Sequence, residues 1–196
     1  GHWFHLFRPH PLGYLRCGIG GEQRLARKGA LAVASAEYRL ERPLRTVLDI
    51  GCGEGAWRAP LLKLRPRARY LGFDSSDYAV SRYGRARDIH LARFGDFTQL
   101  RPCPPVDLLV CSDVLHYLPT RELDRGLPGL AELCGGVAFL EAFTRKDAAA
   151  GDEDGFLGRD AAFYRNRLEA LGFRHIGAHC WLAPRLAHHA CELETA

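Results

Sequence analysis

Residues 47–55 read VLDIGCGEG, and the order of residue types in this stretch decides the fold. Val47, Leu48 and Ile50 are β-favouring apolar residues broken by one carboxylate, Asp49. Gly51, Gly53 and Gly55 then alternate with Cys52 and Glu54 before a helical continuation. The pattern predicts a buried strand running into a glycine turn at a helix start, where glycines take positive φ and let a ligand lie against bare backbone. Strand, Gly-x-Gly and helix also open dinucleotide-binding folds. A pyrophosphate, however, needs amide N–H groups and a positive helix end without carboxylates beside them. Asp49 and Glu54 therefore suit a ligand carrying an ammonium and a sulfonium better than a diphosphate.

Three further motifs follow in order: LGFDSS at 71–76, GDF at 95–97 and DLLVCSDVLHYLP at 107–119. With the glycine loop they resemble the class I S-adenosylmethionine-dependent methyltransferases, whose first motif is an acidic residue, any residue, then Gly-x-Gly-x-Gly. The resemblance implies an α/β fold: a Rossmann-like, doubly wound, seven-stranded, mostly parallel sheet in the order 3-2-1-4-5-7-6. Strand 7 would be antiparallel and helices would cover both faces. It implies S-adenosyl-L-methionine as cofactor and S-adenosyl-L-homocysteine as product. Asp49, Gly51, Cys52, Gly53 and Gly55 would surround the methionine portion. Asp74, with Ser75 beside it, would accept from the ribose hydroxyls, unless the pair serves only to cap a helix. Asp96 would accept from the adenine amino group, with Phe97 against the ring, and Cys111 and Ser112, just after the fourth strand, would pass beside the transferred methyl.

Methyl transfer from a sulfonium depends chiefly on positioning, and a base helps when the acceptor must lose a proton. Asp113, His116 and Tyr117 follow the fourth strand and are the candidate catalytic groups. His116 has the side chain best suited to a base at neutral pH, with packing as its other reading. Family members that methylate nucleobases or glutamine carry Asn-Pro-Pro-Tyr or a near variant here, and SDVLH departs from it. That leaves O-, N- or S-methylation of a small molecule, with no nucleic-acid partner. Two rival readings stand beside this one: a nicotinamide-dependent oxidoreductase, and a non-catalytic protein that keeps the cofactor site.

The chain has 196 residues, 47% hydrophobic, which suits a single domain with a sizeable core. Its formal charge is +4, and only Lys28, Lys63 and Lys146 among 27 basic residues are lysines, a usage closer to genome composition than to a nucleic-acid footprint. Seven cysteines without a C-x-x-C pair predict reduced thiols and a cytoplasmic location. No apolar run approaches the length of a membrane span, so a soluble protein is expected. The chain begins Gly1-His2 and contains no methionine, which reads as a processed or tagged product; its oligomeric state is not legible.

Residues 1–21 read as an irregular, aromatic arm and 22–40 as a helix with Leu25, Ala32, Val33 and Ala36 on one stripe. The alternation that follows predicts strands at 46–50, 69–73, 89–92, 106–110 and 136–141 and helices at 55–64, 76–84 and 120–133. Continuous apolar strands between amphipathic helices indicate a parallel sheet covered on both faces. Residues 141–160 form a polar loop, 161–171 a helix, and 172–182 and 186–193 two strands of an antiparallel hairpin joined at Ala183-Pro184. The arm and helix at 1–42 would cap the acceptor, with Trp3, Tyr14 and Phe143 against it and the acidic Asp152, Glu153 and Asp154 in the loop. His175, His179, His188 and His189 lie near Cys180 and Cys191, but their alternation scatters them across both faces, so no metal site is expected.

Overall fold

In a computed structural model, residues 21–147 and 155–194 are described. Trp3, Tyr14, Cys17 and the Asp152–Asp154 run lie outside them. The described strands form a seven-stranded sheet in the order β3-β2-β1-β4-β5-β7-β6. They are β1 (Thr46–Ile50), β2 (Arg69–Asp74), β3 (Ile89–Leu91), β4 (Val106–Ser112), β5 (Cys134–Glu141), β6 (Arg174–His175) and β7 (Cys180–Leu182). Strands β1 to β5 pair in parallel, while β7 runs antiparallel to both β5 and β6. The expected order and the reversed seventh strand are thus present.

Alternation along β1 sends successive side chains to opposite layers. Leu48 and Ile50 join the core beneath α4 (Thr120–Leu133) and α5 (Ala161–Ala170), with Leu123, Leu127, Leu130 and Leu168. Val47 joins the opposite core with Ala32, Val33 and Ala36 of α1 (Gly21–Leu40) and Leu61 of α2 (Arg58–Leu64). The amino ends of the strands are locked by Asp107, which is 6% exposed. Its carboxylate accepts from Arg42 at 2.6 and 2.9 Å, from Arg45 N–H at 2.7 Å and from Thr46 N–H at 3.2 Å. Burial raises its pKa, but these donors outweigh it and hold the group below its ordinary value.

Among the boundaries that differ from the sequence reading, three bear on the site and the sheet edge. Helix α2 begins at Arg58 rather than 55, because a turn closed by Gly55 N–H to Cys52 C=O comes first. Strand β4 continues to Ser112, since Cys111 and Ser112 pair with Leu140 and Glu141 of β5 instead of leaving the sheet. The terminal hairpin closes at 176–179 and not at Ala183-Pro184. Pro184 opens a 3-10 turn, Pro184–His189, where a strand was expected, and Glu192–Glu194 is a second such turn.

Helix α4 rests backbone against backbone on a 3-10 turn, Phe94–Thr98, that follows β3. A Cβ at Gly129 would stand 1.8 Å from Phe97 C=O, and one at Gly126 would stand 2.3 Å from Phe94 C=O. We expect Gly129→Ala to destabilise the protein by about 1–3 kcal/mol, since overpacking outweighs the gain of about 1 kcal/mol in helix propensity. Chemical denaturation checks this; an unchanged or raised midpoint would show that the contact is loose.

Candidate active site

All three loop glycines have positive φ, at 72° for Gly51, 54° for Gly53 and 78° for Gly55. The N–H groups of Gly51 and Cys52 both donate to Phe73 C=O, at 2.8 and 3.0 Å, and Gly53 N–H donates to Asp74 Oδ2 at 2.7 Å. Asp74 Oδ1 accepts from Ser76 N–H at 2.8 Å, and Ser76 caps helix α3 (Asp77–Arg87) by accepting from Ala79 N–H. One carboxylate, 2% exposed, thus ties the loop to the start of α3. Burial raises the Asp74 pKa, and the amide donors only partly offset that. Gly51 is also a steric requirement, because a Cβ there would lie 2.3 Å from Val114 Cγ2.

Asp49 lies one layer below. It is 1% exposed and accepts from the Tyr70 hydroxyl at 2.7 Å, on the α1–α2 side of the sheet. Cys52 and Cys111 are buried nearby, both with pKa pushed up, first by burial and then by the Asp49 charge, so neither supplies a thiolate. Ser75 is exposed and lines a narrow cleft of about 50 Å³ with Gly51, Phe94, Val114 and Glu122. At the third strand the aromatic partner differs from expectation. Phe97 is 0% exposed and meets Phe73 edge-on inside the core, so Phe94 is the aromatic ring at the cleft. Asp96 is exposed and accepts from Arg93 N–H at 2.8 Å, capping its own 3-10 turn.

Beyond β4 the chain turns sharply at Asp113, whose φ is 64° and whose N–H donates to Glu141 C=O. The Asp113 side chain is 62% exposed, whereas His116 is 1% exposed. His116 Nδ1 accepts from Phe143 N–H at 3.3 Å, which assigns the proton of a neutral ring to Nε2, 3.2 Å from Asp113 Oδ1. Tyr117, Phe143 and Phe156 surround that ring, at centroid distances of 4.2, 5.3 and 5.5 Å. With both nitrogens engaged and the ring buried, His116 lacks a free lone pair facing the cleft. The ring thus braces the turn between Asp113 and Phe143.

Residues 48–136 match the family described as a methyltransferase domain. Over that segment the chain is similar to methyltransferases. It is 38% identical over 81 residues to a trans-aconitate 2-methyltransferase of Deinococcus radiodurans, a match covering 40% of this chain and 30% of that one. Over 84 residues it is 36% identical to the Methylobacterium nodulans enzyme of the same name, covering 43% of this chain and 32% of that one. The match therefore spans about a third of the length of these curated relatives. Among solved structures, Streptomyces venezuelae DesVI superposes with a TM-score of 0.62 at 16% identity, over 81% of this chain and 90% of that one. A magnesium protoporphyrin IX methyltransferase from Synechocystis superposes with a TM-score of 0.57 at 23% identity, over 78% and 73%. These last two are likenesses of fold.

The structure gathers Asp49, the glycine loop, Asp74, Ser75, Ser112 and Asp113 at the carboxyl ends of β1, β2 and β4. It places Phe97 and Cys111 in the core. Sequence reasoning did not single out Lys28, Glu141, Arg159 or Phe94 as site residues. Arg159 donates to Leu115 C=O at 3.3 Å and to Leu118 C=O at 2.7 Å, clipping the turn that carries His116. Only its position in the 141–160 loop hinted at this. Among the described residues no group of three or more His, Cys, Asp or Glu side chains is placed to hold a metal, and His188 and His189 stack on each other.

Burial lifts the Asp49 carboxyl to about 7, against the Tyr70 hydrogen bond and with a further push from the Asp74 charge. The folded value lies above the unfolded one, so the folded chain holds a proton that the unfolded chain has lost. Stability then falls as pH rises from about 4 to about 7. We expect Asp49→Asn to remove this slope and to gain about 1–4 kcal/mol over the parent at pH 8 relative to pH 4. Denaturant midpoints of both proteins across that range test it, and parallel curves would show that Asp49 keeps an ordinary affinity for its proton.

Proposed function

We propose that this chain transfers a methyl group from S-adenosyl-L-methionine to an O, N or S atom of a small-molecule acceptor. The observation that carries the reading is the glycine loop itself, with three left-handed glycines flanked by the carboxylates of Asp49 and Asp74 at the carboxyl ends of β1 and β2. This lies beside the reversal in strand order between β1 and β4, where ligands of open α/β sheets bind. The donor set fits the group: loop amides for a carboxylate, buried acids for an ammonium and for ribose hydroxyls, and Phe94 for an apolar ring. The trans-aconitate methyltransferases and the porphyrin methyltransferase support a small-molecule acceptor by the names they carry. The reversed β7 counts against a nicotinamide-dependent oxidoreductase, since the dinucleotide fold keeps a parallel 3-2-1-4-5-6 order.

The cofactor, once bound, supplies a methyl on a good leaving group. The protein supplies position. The cleft is narrow, about 50 Å³, with Val114 in its wall. Ser112 and Asp113 then border the methyl, with Asp113 offering an exposed carboxylate to a hydroxyl or amine. His116 acts through Asp113 as a positioning residue, and Tyr117 walls the same side. Phe143, at the start of the 141–160 loop, packs against the His116 ring on the same side. Asp96 faces the adenine end.

Calorimetry decides between the cofactor classes. We expect S-adenosylhomocysteine to bind and NADH not to; NADH binding without S-adenosylhomocysteine binding would overturn the proposal. Labelled S-adenosylmethionine incubated with a metabolite extract then identifies the acceptor, and cofactor binding without any labelled product would favour a non-catalytic role. Asp74→Ala should weaken S-adenosylhomocysteine by roughly 1–3 kcal/mol, because both the loop amide and the ribose lose their acceptor. Unchanged affinity would place the ribose elsewhere.

A further inference from the structure

Glu141 ends β5 on the α1 side of the sheet and is 2% exposed. The Lys28 ammonium donates to both its oxygens, at 2.5 and 2.6 Å, and the Ser112 hydroxyl donates to Oε2 at 2.6 Å. Burial raises the Glu141 pKa, yet these donors outweigh burial and keep the carboxylate charged below its ordinary range. A buried, ionised carboxylate clamped from α1 at the carboxyl edge of the sheet is costly to build, and the packing of β5 alone does not require it.

The side chain it faces is His179, whose Nε2 stands 3.9 Å from Glu141 Oε1 and which is 47% exposed. The imidazole meets Phe139 edge-on, with centroids 5.6 Å apart. Its backbone is held in an uncommon state: Gly177, Ala178 and His179 have φ of 91°, 47° and 65° in succession, and two of the three are not glycine. The His179 carbonyl is pinned by Leu140 N–H at 2.9 Å. This left-handed run carries the imidazole over the end of β5, one strand beyond Ser112. His116, the histidine that the motif offers, is buried with both nitrogens engaged, whereas His179 is open and backed by a carboxylate.

We infer that His179 is the proton acceptor for the methyl acceptor, with Glu141 as its counter-charge and Lys28 as the clamp that positions Glu141. The acceptor class is a small molecule whose nucleophile is an O–H or N–H that sheds its proton on methylation. This rests on the methyltransferase reading above. As the nucleophile's lone pair forms the new bond to carbon, sulfur keeps the pair of the bond that breaks, and the proton passes to the imidazole. The charged and titratable groups facing that ring are Glu141 from β5, Lys28 from α1, Asp147 from the segment after β5 and His175 from β6. The proton thus arrives on a ring that stands 3.9 Å from the Glu141 carboxylate.

The test follows the ring-carbon NMR titration of His179 in the full chain, free and with two ligands whose binding is confirmed by calorimetry. Sinefungin carries an ammonium where the transferred methyl stands, and S-adenosylhomocysteine carries no charge there. We expect sinefungin to raise the acid dissociation constant of His179 about threefold or more over the S-adenosylhomocysteine complex, as a cation within several ångströms requires. In E141Q the constant should rise by a similar factor in the free protein. Equal titrations with both bound ligands would overturn the inference and leave the methyltransferase reading intact. Failure of both ligands to bind would overturn the two together. Should E141Q fail to fold, the comparison of ligands on the parent protein decides alone.

Discussion

The carbonyl of Phe73 and the carboxylate of Asp74, side by side at the end of β2, hold the turn on which the rest of the site depends. Between them they accept the N–H groups of Gly51, Cys52 and Gly53. A loop of three left-handed glycines has little intrinsic preference for one shape, since glycine surrenders more freedom on folding than any other residue. Anchoring three successive amides to one neighbouring strand removes that freedom. The same carboxylate takes Ser76 N–H, so the loop and the start of α3 are set by one group. The absence of a Cβ at Gly51 then lets Val114 settle on the loop, which brings the turn after β4 against the turn after β1.

From that junction the polar groups divide by depth. Asp49 sits beneath the loop with Tyr70, Asp74 at its rim, and Ser112 and Asp113 across the cleft. On the α1 side, Lys28 reaches across to Glu141 and so joins the first described helix to the end of the fifth strand. Arg159 performs the corresponding service on the other side, binding carbonyls of the 113–118 segment and stacking on Phe163. The two clamps, one ammonium and one guanidinium, fix the end of β5 and the turn after β4. Both use cations on buried or half-buried acceptors, where such bonds are stronger than at an open surface.

The alternation of apolar strands and amphipathic helices was legible because each core strand is buried on both faces and its residue types say so. α4 appears over the residues expected, 120–133, and β1 over 46–50. The errors share a cause. Helix α2 starts late, β4 runs on to Ser112 and the terminal hairpin turns at 176–179, because each boundary is set by a partner distant in sequence. Ser112 stays in the sheet through Glu141, and Ala178 and His179 accept a left-handed backbone that their side chains give no sign of. Of the residues the motifs single out, Gly51 and Ser75 line a cleft whereas Phe97 lies in the core, since a single aromatic beside an exposed turn gives no clue to whether its ring points outward or inward.

What the sequence by itself determined is the class of fold and the place of the glycine turn after β1. Glycines at 51, 53 and 55 after an apolar strand leave open the left-handed turn that side chains would disfavour, and that permission is local to the sequence. Only the tertiary structure decided which carboxylates and imidazoles are exposed, paired or buried. Lys28 and Glu141 are 113 positions apart, and His116 and His179 are the same residue type with opposite fates. Proton affinity and reach are set by burial and by neighbours, and those are properties of the folded chain alone.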